Sequence, residues 1–270
     1  MRLRQGFNVV VYIFAIIGFA LVAVYLAVNF GFTDTKGVID EQHDYFRDQI
    51  SKKSWMASEE WLILKEAIKK DTAIINSASE KTGIPSRLII APLVVEQLRL
   101  FYSEREIFKD VFAPLKILGN QSQFSWGVMG IKQETARQIE SNLKDPRSVW
   151  YLGKDFEQIL DFNATSSIEN NLDTERFERL TDEKDRYYSY LYGALYIKQL
   201  EKQWERAGFP ISGRADIIAT LYNIGFENSK PRDNPMSGGS EIEIGGATYS
   251  FGSLAKSFYD SDELIEEFRR

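Results

Sequence analysis

The sequence predicts a mainly α domain with one small β-hairpin, carried behind a single N-terminal transmembrane helix. Three observations predict this. Val9 to Val28 is an unbroken apolar run. Beyond it, apolar residues recur at helical spacing in segments punctuated by glycine and proline. Near the C-terminus two glycines divide two alternating stretches, EIEI-GG-ATYSF.

The apolar run comes first. About twenty residues at about 1.5 Å rise span about 30 Å, the thickness of a hydrocarbon core. A cleavable signal peptide has a shorter apolar region, about 7 to 15 residues, and a small-residue cleavage site, which the following NFGFTDTKG does not offer. Arg2 and Arg4 precede the run and the next charge is Asp34, so the N-terminus is expected in the cytoplasm and the chain from about Thr33 outside it. Residues 1–32 therefore read as an anchor held in the membrane through residues 9–28. The charged, weakly patterned residues 33–54 read as a juxtamembrane spacer, and 55–270 as the folded domain.

Within the domain, Trp61, Leu62, Leu64, Lys65, Ile68, Ile74 and Ile75 fall largely on one face of a helix that Gly83 can end in left-handed geometry. Pro85 restarts a helix in its first position. That helix, PSRLIIAPLVVEQLRLFY, is apolar almost all round and is the central one, with Pro92 expected to kink or loosen it. Residues 161–186 are polar enough to form an exposed insertion between core helices. A tyrosine-rich helix, then ADIIATLYNI ended by Gly225, the hairpin, and an amphipathic helix from about Ser253 to Phe268 complete the chain.

Composition excludes several functions. The 33 Lys+Arg less Arg2 and Arg4 leave 31 against 39 Asp+Glu outside the membrane, a balance of −8 that argues against nucleic acid as a partner. The absence of cysteine removes disulfides, thiol nucleophiles and thiolate metal sites. His43, the lone histidine, lies in a polar stretch just beyond the apolar run, which argues against a Ser-His-Asp triad and a multi-histidine zinc site. No metal or other cofactor is expected.

Three features carry chemistry. Glu96 closes the apolar stretch LIIAPLVVE; a carboxyl buried there is driven toward its protonated form, that of a general acid, whereas one emerging into solvent is an ordinary surface residue. Gly127 and Gly130 in SWGVMGIKQETA indicate a backbone that something approaches closely, a ligand or a packed helix. Tyr222 and Asn223 place a hydroxyl and an amide at the end of an apolar helix, where a plain helix terminus is the alternative.

Taken in order, these pieces resemble the lytic transglycosylase family of the lysozyme superfamily. GVMGIKQETA is similar to that family's Gly-Leu-Met-Gln-Ile-Met-Pro-x-Thr-Ala, keeping Gly127, Met129, Ile131, Thr135 and Ala136, and LYNIG is similar to its late Ala-Tyr-Asn-Ala-Gly. Glu96 falls where the family's catalytic acid stands. Gln97 replaces the usual Ser, Gly130 the usual Gln, and Lys132-Gln133 the usual Met-Pro. The resemblance covers about Ile84 to Phe226.

The resemblance implies a lysozyme-like helical fold and cleavage of the β-1,4 bond between N-acetylmuramic acid and N-acetylglucosamine in peptidoglycan glycan strands. Glu96 would protonate the leaving oxygen with the substrate's acetamido group assisting. As a base it would then take the muramic C6 hydroxyl proton, closing a 1,6-anhydro ring. It implies that Tyr222 holds the Glu96 carboxyl by a hydrogen bond and that Ser125, Gly127, Met129, Gly130 and Asn223 line the groove. Phe124, Trp126 and Tyr192 are candidates to stack on sugars or to fill the core. The location implied is the inner membrane of a bacterium with the domain in the periplasm. Two other readings stay open: a relative that binds glycan or scaffolds envelope proteins without cleaving, and an unrelated anchored helical domain acting through protein contacts.

Overall fold

A computed structural model describes residues 55–103, 125–162, 169–244 and 246–269. The expected anchor, the spacer, His43 and Phe124 lie outside these residues. Among the described residues no helix is long and apolar enough to cross a membrane. The domain is mainly helical, with eight α-helices and two small antiparallel sheets among the described residues.

The first helix is in fact two, α1 (Glu59–Lys70) and α2 (Thr72–Thr82). Ser58 caps α1, its hydroxyl accepting the Trp61 N–H at 3.1 Å. The break falls at Asp71, whose carboxylate accepts hydrogen bonds from Tyr190 Oη at 2.7 Å and Arg186 Nη1 at 3.0 Å. Turning the chain there delivers the carboxylate to partners on another helix. Gly83, with φ 72°, ends α2 as expected.

Helix α3 (Ser86–Ser103) begins one residue after Pro85, whose carbonyl accepts the N–H groups of Leu88 and Ile89. It runs through Pro92 without interruption, and Leu88 to Val95 are buried throughout. Near its start the buried Arg87 guanidinium donates to the carbonyls of Phe258, Tyr259, Ser261 and Glu263. Those carbonyls belong to the end of the last helix and the turns beyond it, where helical partners run out. This clamp explains why that helix stops at Asp260 and not near Phe268.

Strands β1 (Ser125–Trp126) and β2 (Ile131–Lys132) form a small hairpin that the sequence pattern does not announce. It leads into α4 (Gln133–Lys144). The expected insertion contains α5 (Glu169–Thr181), which is packed and not exposed: Arg176, Arg179 and Leu180 are buried, and Phe177 meets Trp126 edge-on at 4.9 Å. Helices α6 (Tyr187–Arg206) and α7 (Ala215–Ile224) follow. The predicted hairpin forms from β3 (Glu241–Ile244) and β4 (Ala247–Ser250), with Ile244 opposite Ala247 across the glycine pair. Ser250 then caps α8 (Phe251–Asp260), which packs with α3 and α7 around the core.

Candidate active site

Helix α3 delivers Glu96 to the site. The residue is 4% exposed, and its Oε2 accepts a hydrogen bond from Arg99 Nη2 at 2.5 Å, one turn further along the same helix. The pair lines a cavity of about 160 Å³ with Gly130 and Lys132 from the first hairpin, Tyr196 from α6, and Tyr222 and Asn223 from α7. Four of the expected site residues, Glu96, Gly130, Tyr222 and Asn223, thus meet at one place.

The hairpin turn fits closely over α3. Gly130 has φ 64°, and a Cβ there would stand 2.9 Å from Glu96 Oε2 and 3.0 Å from its Cδ. The carboxyl of Glu96 therefore occupies the space that a side chain would need, which is a physical reason for glycine at this position. The next residue of α3, Gln97, donates from Nε2 to the Val128 carbonyl at 2.6 Å. Tyr222 Oη donates to the Met129 carbonyl at 2.8 Å, so its proton is spent on the turn and not on the Glu96 carboxyl as expected. Burial, and secondarily the charge of Glu96, push the Tyr222 hydroxyl well above the ordinary tyrosine range and keep it a donor. Asn223 is held by its Oδ1, which accepts the Ser240 N–H at 2.8 Å.

Other expected site residues lie elsewhere. The Met129 side chain is fully buried; a Cβ at Gly193 of α6 would stand 2.4 Å from its Cε, so it fills the core and does not line a groove. Gly127 lines a separate hollow of about 460 Å³ with Gln97, Val128, Leu180 and residues 181–183. Its φ is 64°, and a Cβ would stand 2.0 Å from the Leu180 carbonyl oxygen and 2.6 Å from Ser189 Oγ, so close helix packing is what demands glycine there. Ser125 sits in β1 opposite Lys132. Trp126 and Tyr192 are core residues and not sugar platforms.

Sequence reasoning missed Arg99 and Tyr196. Arg99 could have been found from its i, i+3 spacing to Glu96 on one helix face. Tyr196 is one of several tyrosines in α6, and nothing local singles it out. Its ring packs on Tyr222 at 4.8 Å and Phe226 at 4.5 Å, and its buried hydroxyl has no hydrogen-bond partner. Arg99 Nε is likewise buried without a partner.

The expected protonation of Glu96 by burial meets an opposing influence. The guanidinium at 2.5 Å favours the carboxylate. A second acidic cluster, also missed, joins Glu140 of α4 to α5 and α6: Arg176 donates twice to Glu140, at 2.7 and 2.6 Å, and Tyr192 Oη donates to it at 2.6 Å. Arg176 and Arg137 also pair with Asp173. These charges satisfy one another, which suits a structural joint between helices. Among the described residues no group of three or more His, Cys, Asp or Glu side chains is arranged to hold a metal ion.

In comparisons with protein-family models, with curated proteins and with solved structures, nothing matches the chain.

Proposed function

We propose that the chain is a membrane-anchored lytic transglycosylase with a lysozyme-like domain, acting on peptidoglycan glycan strands with Glu96 as the acid and then the base. One observation carries the reading: a single buried carboxyl at the end of an apolar helix opens onto a cavity shared with Gly130, Tyr222 and Asn223. Those residues come from the three separate blocks of the resemblance.

In the first step Glu96, protonated, gives its proton to the glycosidic oxygen as the C1–O bond breaks, and the substrate's acetamido oxygen closes on C1. In the second, the Glu96 carboxylate takes the proton of the C6 hydroxyl as O6 attacks C1 and releases the acetamido group. The carboxyl ends as it began. One carboxyl suffices because the substrate supplies the nucleophile, unlike the paired carboxylates of most glycosidases. A general acid of this kind contributes about 10²- to 10⁴-fold in rate.

The Glu96–Arg99 ion pair also favours a second reading, a domain that binds glycan without cleaving it, since a paired carboxylate has no proton to give. Digestion of purified peptidoglycan by the full chain in detergent, with mass spectrometry of the products, separates the two. Anhydromuropeptides that vanish in Glu96→Gln are the expected result. Reducing-end sugars would mean hydrolysis, and no release at all would leave binding.

A further inference from the structure

We propose that Arg99 forms a carboxylate-binding subsite beside Glu96, and that an acidic group on the substrate draws the guanidinium away and so frees Glu96 to take up a proton. The inference rests on the glycan-cleaving reading for its substrate, and names the form of strand that the site accepts.

The geometry points there in three ways. Arg99 spends Nη2 on Glu96, while its Nε is buried with no acceptor. Nε and Nη lie on one edge of the planar guanidinium, the fork that matches both oxygens of a carboxylate. Tyr196, a residue 2% exposed that lines the same cavity, also carries a buried hydroxyl without an acceptor. A buried donor without an acceptor is costly in a folded protein, and two on residues that line one cavity both call for the same thing, an oxygen.

The groups around Glu96 make the charge change matter. Arg99 stands on its own helix, Lys132 comes from β2, Tyr196 from α6 and Tyr222 from α7. Both tyrosines are held neutral by burial. Arg99 is a cation in contact with the carboxylate, so a substrate acid that takes over the guanidinium removes a contact that favours the charged form. Glu96 then gains its proton from water and becomes the acid that the first step requires. Without such a substrate, the ion pair holds the enzyme at rest.

N-acetylmuramic acid carries one acid close to the scissile bond, the carboxyl of its lactyl ether. In intact peptidoglycan that carboxyl is an amide bearing the stem peptide; it is free only where the peptide has been removed. The amide that replaces it in intact strands has no charge to pair with the guanidinium, whereas the free lactyl carboxylate matches its fork. The preferred substrate is therefore the peptide-free strand, and the reaction that must supply it is hydrolysis of the lactyl amide.

Peptide-free strands test this, compared with intact strands and with peptide-free strands whose lactyl carboxyls have been converted to methylamides. Release of anhydro ends by the full chain in detergent is measured on each. The free-acid strands should be preferred about 10- to 100-fold in kcat/KM, the scale of a charge-assisted hydrogen bond. Arg99→Gln should show nearly equal rates on all three, with Arg99→Lys between, since a lysine keeps the charge and loses the fork. An undiminished preference in Arg99→Gln, or no preference in the parent chain, overturns the proposal. If Arg99→Gln does not melt cooperatively, Arg99→Lys carries the comparison.

Binding gives an answer independent of cleavage. Calorimetry with N-acetylmuramic acid and its methyl ester is run on Glu96→Gln and on Glu96→Gln/Arg99→Gln. Tighter binding of the acid in the first and equal binding in the second supports the subsite, even if no strand is cleaved and the transglycosylase reading falls. Equal binding of acid and ester by both overturns it, even if strands are cleaved.

Discussion

The carboxyl of Glu96 fills the space in front of Gly130, where a Cβ would stand 2.9 Å from Oε2. The two glycines of the hairpin turn share φ 64° and face different neighbours. Gly130 faces the end of a side chain; Gly127 faces the Leu180 carbonyl at 2.0 Å, which belongs to backbone. Alanine at 130 should lower stability by about 1–2 kcal/mol, the strain of a left-handed residue. It should also push the carboxyl aside and reduce turnover on the order of 10²-fold, as small displacements of a reacting group do. Alanine at 127 should lower stability by about 3 kcal/mol or more, since strain adds to a clash that nothing flexible can relieve. Urea unfolding and peptidoglycan digestion of both variants check the contrast. Equal effects on turnover at equal stability would detach Gly130 from Glu96.

Tyr222→Phe removes the donor to the Met129 carbonyl while keeping the ring between its neighbours. A buried carbonyl left without its donor makes the variant about 1–3 kcal/mol less stable. Because the hydroxyl spends its proton on the turn, the alkaline limb of the rate profile, where the Glu96 proton is lost, should hold its position while kcat falls. A shifted limb would show instead that the hydroxyl bonds to Glu96 during turnover.

What was legible in the sequence was local. The glycine pair between alternating strands, the stop at Gly83 and the apolar run of α3 each depend on neighbours a few residues away, and each forms as read. The break at Asp71 depends on Tyr190 and Arg186, more than a hundred positions later, so the apolar spacing ran straight through it. Helix α5 read as exposed because its buried face is largely charged. Arg176 and Arg179 are stabilised there by Glu140, Glu175 and the Leu160 carbonyl, none of which composition can pair with them. At the site, the resemblance put Glu96, Gly130, Tyr222 and Asn223 in one groove, and the four line one cavity in the fold. The reason for glycine at 130, the true partner of Tyr222 and the inward turn of Met129 all required the fold.

Asp71→Ala tests the joint between the first two helices and α6. The substitution leaves the Tyr190 hydroxyl, 2.7 Å from Asp71 Oδ2, buried without its acceptor, and Arg186 without its ion pair. Stability should fall by about 2–4 kcal/mol, a buried orphan and a charge-assisted bond together. Asp71→Ala combined with Tyr190→Phe should recover a part of that loss, because the orphaned hydroxyl is gone. Thermal melts of the single and double variants measure the recovery, and its absence would mean that Asp71 acts through the helix break alone.

Alkaline pH should reveal the buried tyrosines as a group. Tyr190, Tyr192, Tyr196 and Tyr222 all have hydroxyls pushed above the ordinary value of 10, with burial the largest cause in each. A group whose proton is held more tightly when folded contributes stability that is complete below its unfolded value, and that contribution is lost as pH rises through the folded one. Unfolding free energy should therefore be flat in these groups up to about pH 9 and fall steadily above about pH 10. Tyr196→Phe should be neutral or stabilising at pH 7, since it removes a buried hydroxyl with no partner, and should shed its share of the alkaline loss. The same change removes one of the two unpartnered donors on residues that line the cavity, so affinity for an acidic sugar should drop as stability holds or rises. Urea titrations at pH 7 and pH 10.5, run beside binding of N-acetylmuramic acid, check both signs. A Tyr196→Phe chain that loses stability at pH 7 would mean that the hydroxyl has an acceptor in solution.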